Sequence, residues 1–173
     1  MKFLQLIERS SKHLDKIASP TLPFSPPFTF GAHWMCDRLN EIRSQSIQCD
    51  PVIPFERYGW LKYGTSFFAF LLSLLFLYWV RPSLAPLSVL IFYLAEVHFL
   101  FLFPLLLDKS EHPVRQSIRE TYKIGVWKAL VTVLPIGGYM IIGLANVKNP
   151  LRNWYVGCMS ILFWYHDEMG HRL

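Results

Sequence analysis

The sequence predicts an all-α integral membrane protein: a small bundle of four transmembrane helices, or three with a fourth re-entrant or interfacial helix. An amphipathic helix and a Pro-rich strap precede it on the cytoplasmic or stromal side. Three observations predict this class. Hydrophobic residues fill 53% of the 173 positions and charged residues only 17%, with a mean hydropathy of +0.29, too apolar for an ordinary soluble domain. Beyond residue 62 the chain runs through four apolar segments separated by more polar stretches. The basic residues then alternate between those turns as membrane topology requires.

Residues 1–62 read as a membrane-surface region and 63–173 as the bundle. At the start, "MKFLQLIERSSKHLDKIA" lacks the continuous apolar core and small-residue site of a cleavable signal. Phe3, Ile7, Leu14 and Ile17 instead recur at helical spacing among Lys2, Arg9, Lys12 and Lys16. That pattern suits a helix lying on a membrane, or equally one packed on the body of the protein. "SPTLPFSPPFTFG" holds four prolines, which remove amide donors and favour extended neighbours, so it is expected to be non-helical. "AHWMCDRLNEIRSQS" is expected to be a second short helix with Trp34, Leu39 and Ile42 inward, and "CDPVIPFERYGWLKYG" a turn-rich approach to the bilayer. Cys36, Cys49 and Cys158 are an odd number with no CxxC spacing, so neither a disulfide framework nor a zinc site is expected.

A helix needs roughly 20 residues to cross the hydrocarbon core. Tyr63 to Val80 is uncharged and just long enough. Leu87 to Leu107 is 21 residues, interrupted by Glu96 and His98. Ala129 to Val147 is 19 uncharged residues, with Pro135, Gly137 and Gly138 predicting a kink or local break. Asn153 to Tyr165 is only 13 residues. Eight basic residues precede the first segment, one lies in the first turn, five in 108–128 and two in 148–152, which places the N-terminus inside. Short turns then bring both termini to that face. A bacterial inner membrane and a thylakoid membrane both fit. The net charge of +5 is not gathered into a patch, and no nucleic-acid motif accompanies it.

Glu96 and His98 are the residues to watch. An ionised side chain in lipid costs at least ~2.5–3.5 kcal/mol, so each needs a partner, water or neutralisation. Two positions apart on a helix they point roughly 200° from one another. One short bundle cannot cover both sides, so at least one is expected to face another subunit, a cofactor or a lipid. Lys128, Thr132 and Ser160 are the expected internal partners. His98 is the candidate ligand for a tetrapyrrole metal, with Glu96 as its polar neighbour; alternatively the two serve as packing and hydrogen-bonding groups. His166, Glu168 and His171 are the weaker candidates for a single metal, because Glu168 and His171 share the E-x-x-H spacing. A solvated, charged helix end explains the same residues.

No complete catalytic set, phosphate loop or nucleophile elbow is present. The expected function is therefore a non-catalytic accessory or assembly subunit of a larger integral-membrane complex, its partners being membrane lipids and other integral-membrane subunits. The alternative is a membrane enzyme acting on a lipid or isoprenoid-like substrate. A channel or transporter is less supported, since paired repeats are missing.

Overall fold

The structure, a computed structural model, describes residues 2–15, 27–44, 53–146 and 149–169, and every regular element among them is helical. The helices are α1 (Lys2–Leu14), α2 (Pro27–Arg43), α3 (Phe55–Val80), α4 (Ser88–His98), α5 (Leu102–Leu107), α6 (Pro113–Ile124), α7 (Val126–Leu144) and α8 (Arg152–Met169), with a 3₁₀ segment at Pro82–Leu87. Three apolar stretches are long and apolar enough to cross a membrane: Phe55–Val80, Pro82–Leu107 and Val126–Leu144. The contacts divide the chain into two units, one of residues 54–130 and one of 1–53 with 131–173.

In the 54–130 unit, α3 starts at Phe55, so residues 55–62 belong to the helix and not to a turn-rich approach. Glu56 in the first turn suits the positive end of the helix dipole. Phe55, Gly59, Lys62 and Ser66 form one buried stripe at helical spacing. From Phe67 onward α3 is apolar all round, with Phe68, Leu72, Leu75, Phe76 and Trp79 exposed, as a helix solvated by lipid should be. The Pro82–Leu107 stretch returns alongside it. Lys62 meets Glu96 and Phe70 meets Phe92, so the two run antiparallel.

That second stretch is not one helix. Pro104 has no N–H to offer the Leu100 carbonyl, and its ring would collide with that carbonyl in a continuing helix. The chain turns at 99–101 and restarts as α5. The densest core of this unit lies at the break, where Val97, Phe101, Leu102, Leu105 and Leu106 are buried. α6 covers it with a face carrying Ser117, Glu120 and Thr121, all buried.

In the other unit, α8 forms the centre and α1 and α2 pack on it. Val156, Met159, Leu162, Phe163, Trp164 and Tyr165 are buried. The fourth apolar segment thus becomes an 18-residue helix enclosed by protein, and it is not among the three stretches fit to span. α1 lies along α8 with Leu6 and Ser10 inward. Arg9 pairs with Asp167 at 3.1 Å, Arg152 with Asp15 at 2.8 Å, and the Ser160 and Ser10 hydroxyls hydrogen-bond at 3.0 Å in the buried middle.

α2 begins at Pro27, a residue pre-set for a first helical turn, so the last residues of the expected strap are helical. Residues 16–26 lie outside the described residues. Trp34 and Leu39 are buried as expected, Trp34 against Tyr155 at 5.2 Å between ring centroids. Cys36 is disulfide-bonded, a single bond that the reading of the three cysteines as no disulfide framework did not anticipate. An odd count leaves one cysteine over but still allows one pair; Cys49 lies outside the described residues.

Of the kink or local break expected at Pro135, the break does not occur, since α7 runs through it without ending. Gly143 and Gly157 mark the close approach of α7 and α8. A Cβ at Gly143 would fall on Asn153, and one at Gly157 on Met140.

Candidate functional site

The site is built where α3, the end of α4 and α6 meet. Glu96 finds its partner in Lys62 of α3, whose Nζ lies 3.2 Å from Oε2. Lys128, Thr132 and Ser160 do not fill that role. Lys62 is one residue before the uncharged run at Tyr63; the helix simply begins earlier than the run does. Its ammonium also lies 5.5 Å from the Phe103 ring centroid, a cation–π distance.

The pair is buried. The Lys62 side chain is 10% exposed and that of Glu96 13%, so little water shares the interaction and the geometry must satisfy both groups. It does so in part. Glu96 Oε1 and Ser66 Oγ are buried without a hydrogen-bond partner. Ser66 follows Lys62 by one turn on the buried stripe of α3, so an ion pair and an unsatisfied hydroxyl share one helix face.

His98 is the last residue of α4. Its Nδ1 lies 2.7 Å from the Leu94 carbonyl oxygen. A carbonyl only accepts, so Nδ1–H is the donor, and in the neutral form of the ring the lone pair is on Nε2. The ring stands edge-on to Tyr122 of α6, centroids 5.7 Å apart. Glu96 therefore engages α3 and His98 lies beside α6, the divergence that two-residue helical spacing dictates.

The break beyond His98 frees backbone groups, and α6 satisfies them. Ser117 Oγ donates to the His98 carbonyl at 3.0 Å and accepts from the Phe101 amide at 3.3 Å. Thr121 Oγ1 donates to the Val97 carbonyl at 3.0 Å. Hydroxyls are what an apolar setting needs here, because an unpaired backbone group away from water costs several kcal/mol, roughly. Glu120, on the same helix, is buried and bound by Lys123 at 2.7 Å. Nothing in the charged 108–128 sequence singled out Glu120. Its spacing with Ser117 and Thr121 on one face is the signal that was there to find.

The 166–171 residues are placed differently. Glu168 is engaged by Lys2 of α1 and accepts from Trp164 Nε1–H at 3.2 Å, and Asp167 is held by Arg9. His166 Nδ1 is buried without a hydrogen-bond partner, and His171 lies outside the described residues. Among the described residues, no three His, Cys, Asp or Glu side chains come together as a metal site. The acids of this cluster hold α1 on α8.

These features define an all-helical protein with three stretches long and apolar enough to cross a membrane. No family model matches the sequence, and no curated protein or solved structure is similar to it.

Proposed function

We propose that the chain is a non-catalytic accessory or assembly subunit of a larger integral-membrane complex, with membrane lipids and other integral-membrane subunits as partners. The observation that carries this reading is His98. It stands half-buried at the end of a broken apolar helix, with Nδ1–H committed to the Leu94 carbonyl and no partner at Nε2 among the described residues. A ring whose second nitrogen is fixed by a backbone carbonyl is oriented to accept a hydrogen bond or to ligate a metal, including that of a tetrapyrrole. Glu96 has a partner within the chain, so His98 is the member of the pair that another subunit or a pigment would complete.

The basic N-terminal region is placed on the cytoplasmic face of a bacterial inner membrane or the stromal face of a thylakoid membrane. Packing supports a common side for both ends of the chain, because α1 lies along α8. Glu8 and Lys12 on the outer face of α1 have side chains 68% and 73% exposed, which sets α1 and the helix beside it outside the hydrocarbon.

The test is extraction from the native membrane in mild detergent, followed by size-exclusion chromatography with full-spectrum absorbance. The expected result is elution in a reproducible assembly much larger than the 20.3 kDa chain. A pigment band in that peak that disappears with His98→Ala assigns the ligand role. Elution as a single chain in its detergent micelle overturns the subunit reading.

A further inference from the structure

We infer that the cleft between the 108–112 turn and α6 binds the phosphate of an anionic membrane lipid. The cleft encloses about 490 Å³ and is lined by Ser110, Glu111, His112, Arg115, Gln116 and Arg119. This inference needs only that the apolar helices lie in a bilayer, and it stands whether or not the chain is a subunit of a complex.

Charge is the first argument. The Arg115 guanidinium has no hydrogen bond or ion pair among the described residues, and Arg119 meets only the neighbouring Glu120, at 3.5 Å through Nε. Ser110 Oγ donates to Gln116 Oε1 at 2.6 Å, which turns the Gln116 amide so that its nitrogen remains a donor. Two arginines and a glutamine thus line one cleft in which Glu111 is the one acidic lining residue, the Glu120 carboxylate touching Arg119 from beside it. Phosphate oxygens are acceptors only and suit such donors.

Depth is the second argument, and it selects a lipid over free phosphate. The turn follows Leu107, the last residue of the Pro82–Leu107 stretch, and α6 ends one residue before α7 begins. The cleft therefore sits where the chain leaves the hydrocarbon. Tyr122 and Trp127 are 62% and 77% exposed in this same region, as aromatic residues at a membrane interface are. Exposed arginines hold a free anion poorly in salt. A bilayer instead presents phosphates at high local concentration beside them.

The test uses the full chain, purified in non-ionic detergent and equilibrated with mixed micelles of phosphatidylcholine and a minority of phosphatidylglycerol. Lipids retained after a second column are quantified by mass spectrometry. The expected result is about thirtyfold enrichment of phosphatidylglycerol over the input ratio, the scale of two cationic side chains at an anionic surface. Enrichment is lost in R115Q/R119Q, restored in R115K/R119K, and insensitive to inorganic phosphate at equal concentration. Should R115Q/R119Q not fold, R115Q alone carries the test, since Arg115 holds nothing else in place. Equal retention of both lipids, enrichment unchanged in R115Q, or displacement of the lipid by inorganic phosphate each overturns the assignment.

Discussion

Removing Lys62 is the sharpest perturbation of the site. Lys62→Met keeps the length and apolar stem of the side chain and deletes the charge that faces Glu96 at 3.2 Å. Surface ion pairs are worth about 0–1 kcal/mol, but these side chains are only 10% and 13% exposed, so the regime is that of a buried pair broken from one side. Breaking a buried pair from one side strands the other charge away from water. Lys62→Met is therefore expected to lose about 3–5 kcal/mol, and Glu96→Gln a similar amount. The double variant K62M/E96Q, which leaves no charge behind, should lose about 1 kcal/mol or less. Unfolding by denaturing detergent, followed by tryptophan fluorescence, measures all three variants. Additive losses in the double variant would refute the reasoning.

Four further outcomes are expected. Ser117→Ala strips a donor from the His98 carbonyl and an acceptor from the Phe101 amide, and should cost about 1–3 kcal/mol; Thr121→Val, losing one bond, should cost about 1 kcal/mol in the same unfolding assay. Gly143→Ala would drive a Cβ onto Asn153, while Gly138→Ala meets nothing within 4 Å. The first should destabilise by about 1–3 kcal/mol and the second should stabilise slightly; equal melting temperatures would contradict the close approach. A double-mutant cycle on Arg9 and Asp167, whose side chains are 50% and 39% exposed, should give a coupling of at most about 1 kcal/mol that fades with salt. Membrane-impermeant thiol labelling of cysteines introduced at Lys12 and Asn149 should mark both from the same side, and opposite sides would contradict the packing of α1 along α8.

Much of the architecture is visible in hydropathy alone. The three apolar stretches, the oddity of Glu96 and His98 in the second, and their divergence around the helix all follow from composition and helical geometry. Lys62 escaped because an uncharged run stops at the last charge, whereas a helix stops where its backbone can no longer continue. The 4-3-4 spacing of Phe55, Gly59, Lys62 and Ser66 is the pattern that crosses that boundary. Pro104 announced the break in the second stretch, but its consequence depends on Ser117 and Thr121, which are distant in sequence. Residues 153–165 show why a short apolar run is ambiguous: α8 is apolar because α1 and α2 cover it, and only the packing distinguishes that from a short span.

The most direct measurement of the central claim is photo-crosslinking in the native membrane, with a benzophenone amino acid at Leu94, whose carbonyl His98 binds and whose side chain is exposed. The account predicts a discrete adduct with one other membrane polypeptide, lost when the probe is moved to the buried Val97 position. Adducts with lipid alone, or crosslinks confined to the chain itself, would contradict it.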